Sequence, residues 1–173
     1  MTFNELYKEY SKLSYNIALQ YLQNKEDAEE VVQDVFLSVY HNLHTFKQQS
    51  SYSTWIYKIT INKSLDLIKS KQRKKRFAFI QSIFYSESGE LSHEGIEMNH
   101  PGVLLEHKEE LKIIFNAINS LKENQKTAII LHKIEKIPQS QIAEIMGISQ
   151  KAVESLVQRA KSKLLYLLKE NEG

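Results

Sequence analysis

SQIAEIMGISQKAVESLVQRAKSKL, residues 140–164, carries the strongest structural signal in this chain. Apolar residues recur in it at helical spacing on both sides of Gly147, which predicts two short helices joined by a tight turn. A glycine suits such a turn because it has no Cβ. Ser140 and Ser149 stand where their hydroxyls can cap the two helices. The stretch therefore predicts a helix-turn-helix.

The second of these helices has an apolar side and a polar side. Its apolar side faces the first helix and consists of Ala152, Val153, Leu156, Val157, Ala160 and Leu164. Its polar side can reach base edges and phosphates, and it consists of Gln150, Lys151, Ser155, Gln158, Arg159 and Lys163. A helix-turn-helix places such a helix in the DNA major groove, whereas the motif alone also fits a plain helical hairpin. Glu154 repels phosphate, so it either reads a cytosine amino group or points away.

The composition of the chain is that of an ordinary soluble protein. Of its 173 residues, 42% are hydrophobic and 25% are charged. The absence of cysteine excludes a disulfide framework and a thiolate metal site. No apolar run approaches the ~20 residues of a membrane span, and the N-terminus lacks a secretory signal pattern. We therefore expect a cytoplasmic protein without direct membrane insertion.

Five glycines, two prolines and nearly continuous helical periodicity predict an all-α fold. We expect two small helical domains joined by a flexible linker, the C-terminal one a helix-turn-helix domain. The N-terminal domain covers residues 1–76, with one helix capped by Asn24 and another beginning near Ser53. Residues 77–105 form the linker, although its apolar start could be a short helix packed on the first domain. Residues 106–173 form the C-terminal domain.

Charge is segregated within the N-terminal domain. Residues 24–34 contain five acidic side chains and one lysine, whereas residues 58–76 contain eight basic side chains and one aspartate. Asp27, Glu30 and Asp34 follow one another at steps of three and four residues, which place them on one helix face. Taken alone, such an acidic face is most simply a solvated surface. The segregation nevertheless suggests two different partner surfaces.

The third predicted helix mixes aromatic and cationic side chains. They are Tyr52, Trp55 and Tyr57, together with Lys58 and Lys63. This mixture suits single-stranded DNA, because rings stack on exposed bases while cations follow the backbone. Trp55 fits core packing beside Ile56 equally well. The basic run 69–76 predicts contacts to phosphates, or else a solvated helix end.

Three motifs in this order resemble the extracytoplasmic-function sigma factors, the small two-domain branch of the bacterial sigma-70 family. They are EDAEEVVQDVF at 26–36, SYSTWIYKITINKSLDLIKSKQRKKR at 51–76, and the stretch at 140–164. The resemblance implies a transcription initiation factor that binds core RNA polymerase, directs it to promoters, recognises −10 and −35 elements and assists strand opening. It implies core RNA polymerase, promoter DNA in duplex and single-stranded form, and an anti-sigma factor as partners.

The resemblance also implies roles for individual residues. The segment that grips a basic coiled coil of the polymerase comprises Asp27, Glu30, Gln33, Asp34 and Phe36. The residues expected to contact the −10 element are Tyr52, Trp55, Lys58, Asn62, Lys63, Lys69 and Arg73. Among these, Asn62 would hold a flipped base, with the loop 45–51 as the wall of its pocket. The residues expected to contact the −35 element are Gln150, Lys151, Ser155, Arg159 and Lys163. Many relatives carry Arg where this chain has Glu154 and Leu156. This difference leaves open which bases the second helix of the helix-turn-helix reads.

Two other classes of protein compete with this interpretation. A stand-alone helix-turn-helix transcriptional regulator would account for residues 106–170 but leave the acidic and Trp-containing helices unexplained. A metal-dependent helical nuclease would need further ligands near the acidic face, and the sequence supplies no second helix with carboxylates or histidines at matching spacing. We therefore expect no catalytic residues, no metal site and no cofactor, because the polymerase performs the chemistry.

Overall fold

The computed structural model describes residues 1–46, 50–85 and 108–170. These residues form seven α-helices and no strand: α1 (Phe3–Leu22), α2 (Lys25–Asn42), α3 (Tyr52–Tyr85), α4 (Lys108–Asn119), α5 (Glu123–Ile129), α6 (Gln139–Met146) and α7 (Gln150–Glu170). A 3₁₀ turn, Leu43–Thr45, follows α2, and a π-helical turn, Ile130–Ile134, continues α5. The predicted all-α fold is confirmed for this part of the chain.

Helices α1 and α2 pack against each other around a sharp boundary at Asn24. Gln23 ends α1 in the left-handed conformation, at φ 54°. The side chain of Asn24 then caps α2 by accepting a hydrogen bond from the Asp27 amide at 2.8 Å, as predicted. The buried faces of the two helices include Leu6, Ile17, Ala18, Tyr21, Ala28, Val31, Val35 and Val39. Their apolar periodicity thus produces a core between α1 and α2.

Helix α3 begins at a serine cap and is longer than the sequence predicts. The Ser51 hydroxyl accepts a hydrogen bond from the Thr54 amide at 3.1 Å. The helix continues to Tyr85, nine residues beyond the domain boundary predicted at 76. Residues 77–85 contain no glycine or proline, so nothing in the backbone stops the helix there. The first part of the predicted linker is therefore helical, and residues 86–105 lie outside the described residues.

The helices divide into two compact units. The first contains Met1–Thr45 and the part of α3 from Ile59 onward, and the second contains Phe46–Lys58 and helices α4 to α7. The sequence-based division differs in placing residues 46–58 with the N-terminal domain. Within the first unit, the Thr60 hydroxyl donates a 3.2 Å hydrogen bond to the buried Ser14 hydroxyl, which joins α3 to α1.

In the second unit, α6 and α7 form the predicted helix-turn-helix. Ser149 caps α7, because its hydroxyl accepts a hydrogen bond from the Ala152 amide at 3.2 Å. The predicted cap at Ser140 is wrong: α6 begins at Gln139, and Pro138 occupies its N-cap position without a side-chain hydrogen bond. Ser140 lies inside the first turn of the helix. Pro138 supplies a fixed φ before the helix instead of a side-chain acceptor.

Candidate functional site

The turn between α6 and α7 depends on the backbone of Gly147. This residue ends α6 with φ 66° and ψ 34°, and its amide donates to the Ala143 carbonyl. The Ile148 amide donates to the same carbonyl at 3.1 Å. A Cβ at Gly147 would meet no atom within 4 Å, so the position requires glycine for its left-handed φ and not for lack of space.

The polar side of α7 faces solvent. Gln150, Lys151, Arg159 and Lys163 are exposed, and Ser155 is partly exposed. The opposite side of the helix is buried through Val153, Val157 and Ala160. The structure therefore brings the predicted −35 residues onto one helix, with its apolar stripe in the core. Glu154 is exposed one turn after Lys151, so the side chain with the unfavourable charge is accessible as well.

An aromatic cluster forms at the start of α3. The ring of Phe46 stacks on Trp55, with centroids 4.7 Å apart and an interplanar angle of 26°. Phe46 also lies 4.7 Å from the Tyr52 ring. Both Trp55 and Tyr52 are partly exposed, while Tyr57 is 7% exposed and burial raises its pKa to about 12. Trp55 thus combines packing with partial access to solvent.

Most of the predicted −10 residues lie along one side of α3. They are spaced by three, four or seven residues, which are the spacings of neighbours on one helix face. These are Trp55, Lys58, Asn62, Lys69 and Arg73. Asn62 is exposed, one residue after the buried Ile61. Its side chain therefore lies at the protein surface. The predicted wall of its pocket, residues 45–51, lies partly outside the described residues.

The acidic side of α2 divides into exposed and covered residues. Glu30, Gln33 and Asp34 are exposed, whereas Asp27 is largely covered. Phe36 is 3% exposed, and its ring packs edge-on against Tyr7 with centroids 4.8 Å apart. The ring of Phe36 therefore lies in the core where α2 packs on α1, and its predicted part in the polymerase contact stays a prediction.

Two ion pairs connect this acidic side to α3. Lys71 Nζ lies 2.7 and 2.6 Å from the two carboxylate oxygens of Asp27. Lys63 Nζ lies 3.5 Å from Asp34 Oδ2. A cleft of about 290 Å³ beside the second pair is lined by Glu30, Val31, Asp34, Lys63, Asp66, Leu67, Ser70 and Arg73. Residues predicted for two different partners therefore share one cleft within the first unit.

Sequence reasoning missed two contacts at these sites. Phe46 was not singled out, although an aromatic residue inside the otherwise polar loop 45–51 is a usable signal for a ring that packs on the next helix. The pairing of Lys71 with Asp27 joins residues 44 positions apart, and no local pattern announces such a contact. Both contacts depend on how the chain returns on itself.

The second unit also contains an apolar groove and a buried lysine. The groove, of about 570 Å³, is lined by Leu111, Ile114, Phe115, Ile118, Ile129, Lys133, Ile134, Lys161, Leu164, Leu165 and Leu168. The buried lysine is Lys126, which is 6% exposed and donates a 2.7 Å hydrogen bond to Asn119 Oδ1. Burial lowers the pKa of Lys126 to about 8.

The described residues, 1–46, 50–85 and 108–170, contain neither a metal-binding cluster nor a membrane-spanning helix. Within them, no three acidic or histidine side chains come together in a way that could hold a metal ion. None of the helices in this part of the chain has the length and apolar content needed to cross a bilayer. The geometry instead defines an all-helical protein with a helix-turn-helix and a second, aromatic and cationic helix.

Comparison with known proteins agrees with this class. Residues 6–74 match sigma-70 region 2, and residues 111–164 match sigma-70 region 4. The ECF RNA polymerase sigma-E factor of Escherichia coli K12 is 28% identical over 159 residues, which cover 92% of this chain and 82% of that protein. The sigma-E factor of Haemophilus influenzae is 27% identical over 92% of this chain and 83% of its own length.

Two solved structures share the fold. The sigma factor RpoE of Bartonella quintana, in complex with the anti-sigma factor NepR, superposes with a TM-score of 0.68 at 22% identity, covering 96% of both chains. CnrH in complex with the cytosolic domain of CnrY gives a TM-score of 0.67 at 23% identity, covering 97% of this chain and 88% of that one. The chain belongs to the sigma-70 family, in its extracytoplasmic-function branch.

Proposed function

We propose that this chain divides promoter recognition between its N-terminal and C-terminal regions. As an extracytoplasmic-function sigma factor, it binds core RNA polymerase and directs it to promoters. In our assignment, residues 1–76 contact the polymerase and recognise the −10 element as it opens, and residues 106–173 recognise the −35 element in duplex DNA. Residues 77–105 connect them, with their first part helical.

The observation that carries this proposal is the exposed side of α2. Glu30, Gln33 and Asp34 face solvent on a helix whose opposite side is buried through Val31 and Val35. A stand-alone helix-turn-helix regulator has no use for this surface. A negatively charged, solvent-exposed helix face fits a basic partner surface, so we assign these three residues to the polymerase contact.

For the −10 element we assign the exposed side of α3. Trp55 and Tyr52 offer rings to unstacked bases, Asn62 offers an amide to an extruded base, and Lys58, Lys63, Lys69 and Arg73 are assigned to the phosphates. Capture of extruded bases offsets part of the cost of strand separation. For the −35 element we assign Gln150, Lys151, Ser155, Arg159 and Lys163 on α7.

The chemical step belongs to the polymerase, so we assign no catalytic group and no cofactor to this chain, and we place its action in the cytoplasm. We further propose that an anti-sigma factor holds the protein inactive. The apolar groove of the second unit can accept the apolar face of a partner helix, with Lys133 and Lys161 at its lining.

Binding to purified core polymerase tests the proposal directly. We expect the wild-type chain to co-purify with core polymerase and to support transcript synthesis from a cognate promoter. Asp34→Lys places a cation on the proposed contact and should weaken binding at least about tenfold. Glu29→Lys makes the same change in charge at an exposed position about 140° around α2 from Asp34, next to Gln33 at the edge of this face, and it should have a smaller effect. Equal binding by Asp34→Lys and wild type would remove this face from the contact.

A further inference from the structure

Asp34 and Lys63 belong to different proposed surfaces, yet their side chains contact each other. Asp34 is assigned to the polymerase and Lys63 to DNA. Lys63 Nζ lies 3.5 Å from Asp34 Oδ2, with 36% of the lysine side chain and 54% of the aspartate side chain exposed. In the free protein, each charge is therefore partly neutralised by a residue that serves the other partner.

The two ion pairs between α2 and α3 differ in geometry. Asp27 accepts two short hydrogen bonds from Lys71, and its side chain is only 15% exposed. The Asp34–Lys63 pair is longer, at 3.5 Å between Lys63 Nζ and Asp34 Oδ2, and is more open to solvent. A short, protected pair with two hydrogen bonds holds its geometry better than a longer, exposed pair. The Asp27–Lys71 pair thus holds α2 against α3, while the Asp34–Lys63 pair is free to exchange.

The cleft beside Asp34 favours the entry of a cation. Glu30, Asp34 and Asp66 supply three carboxylates to its lining, against the two cations Lys63 and Arg73. An incoming basic side chain therefore meets an excess of negative charge at short range. When this incoming side chain pairs with Asp34, Lys63 loses its partner. The ammonium group of Lys63 then becomes available to a phosphate.

We infer that the Asp34–Lys63 pair couples the binding of core polymerase to the binding of single-stranded promoter DNA. The inference rests on the proposed function. Polymerase takes over Asp34 and releases Lys63 for DNA, and by thermodynamic reciprocity DNA that occupies Lys63 exposes Asp34 for polymerase. The strength of an exposed ion pair limits the coupling to about two- to fivefold in affinity.

The first part of the test measures the affinity of the full chain for core polymerase in the absence of DNA. Lys63→Gln leaves Asp34 without its partner, so this variant should bind polymerase about two- to fivefold more tightly than wild type. Lys74→Gln removes the same charge from an exposed position on the same helix and corrects for the general electrostatic change. If Lys63→Gln binds no more tightly than Lys74→Gln, the coupling is absent.

The second part measures the affinity of the free chain for a single-stranded −10 oligonucleotide. Asp34→Asn should raise this affinity about two- to fivefold and steepen the salt dependence by about 0.7 in log–log slope, because one further phosphate contact forms. Glu29→Gln is the charge-matched control. Adding Lys63→Gln to Asp34→Asn should abolish the gain. A gain equal to that of Glu29→Gln, or one that survives loss of Lys63, overturns the inference.

Failure of the inference can be told apart from failure of the proposed function. A wild-type chain that does not bind core polymerase contradicts the function itself. A different pattern contradicts only the coupling. In that case the wild-type chain binds polymerase, Asp34→Lys weakens this binding, and neither Lys63→Gln nor Asp34→Asn shows the expected gain in affinity. Circular dichroism spectra that match wild type confirm that each variant is folded.

Discussion

Arg159 Nη2 donates a 2.7 Å hydrogen bond to Ser155 Oγ, one turn earlier on the exposed side of α7. The bond restrains a long side chain that otherwise loses considerable rotamer entropy on binding. The guanidinium keeps further N–H donors for a base edge or a phosphate. We therefore propose that the two residues act as one recognition unit, in which Ser155 orients Arg159.

Replacement of Arg159 tests this unit. Arg159→Ala should weaken binding to a duplex containing the −35 element by about 1–3 kcal/mol if the arginine reads a base. A contact to phosphate would instead weaken binding to all duplexes alike and reduce the salt slope by about one. Fluorescence anisotropy with the polymerase-bound chain distinguishes these cases. Lys169→Ala, at an exposed position near the end of the same helix, is the charge-matched control. Unchanged affinity would exclude Arg159 from the interface.

Asn62 allows strand opening to be separated from duplex binding. Asn62→Ala should slow promoter opening about tenfold, because the extruded base loses a hydrogen-bonding partner worth about 1–1.5 kcal/mol. Initial binding to closed duplex DNA should change much less. Permanganate reactivity of unpaired thymines measures the first quantity, and gel shift of a closed complex measures the second. Gln72→Ala removes an exposed amide elsewhere on α3. An equal loss in both measurements would argue against the assignment.

The fluorescence of Trp55 reports on the aromatic cluster, because this residue is the single tryptophan of the chain. Single-stranded −10 DNA should quench its emission when a base stacks on the exposed part of the indole. Phe46→Ala removes the ring stacked 4.7 Å from Trp55 and should shift the emission of the free protein to the red. If neither the DNA nor Phe46→Ala alters the emission spectrum, Trp55 takes no part in base stacking.

The stability of the protein should depend on pH through Lys126. Burial lowers the pKa of this lysine to about 8, so between about pH 8 and 10.5 the unfolded chain binds more protons than the folded one. Stability therefore rises with pH across this interval, and the cost of burying the charged lysine is fully present below it. The shift corresponds to about 3 kcal/mol.

A substitution isolates the contribution of Lys126. Lys126→Met keeps the length of the side chain and removes the charge, so it should stabilise the protein by about 1–3 kcal/mol at pH 7. It should also flatten the rise in stability from pH 8 to 9.5, measured by urea denaturation. Lys122→Met, at an exposed position one turn earlier, should change stability by less than about 0.5 kcal/mol. Destabilisation at pH 7 by Lys126→Met would contradict this account.

Local chemistry was sufficient to predict much of the fold. Asn24 caps α2 because its side-chain oxygen accepts a hydrogen bond from the backbone N–H three residues later. This contact is local, so it does not depend on how the rest of the chain folds. Gly147 and Ser149 delimit the turn and the start of α7 for equally local reasons. The prediction at Ser140 was wrong because Pro138 had already started the helix, so the serine lies past the position where a cap is needed.

Local periodicity was insufficient wherever one helix had to be matched to another. Phe36 and Gln33 are close in sequence, but only the packing of α2 on α1 determines that the ring lies in the core beside Tyr7 while the amide is exposed. The end of α3 was placed at a change in composition, although no residue there breaks a helix. A composition boundary reflects solvation and not backbone geometry.

The sequence by itself determined most of the helices, the caps at Asn24 and Ser149, the helix-turn-helix and the family of this protein, because each follows from residues near one another or from motifs in fixed order. Only the tertiary structure decided that Lys71 pairs with Asp27 and Lys63 with Asp34. Such pairs join residues far apart in the chain, and side-chain positions there depend on the relative placement of α2 and α3. The contact between the two proposed surfaces is a property of that placement.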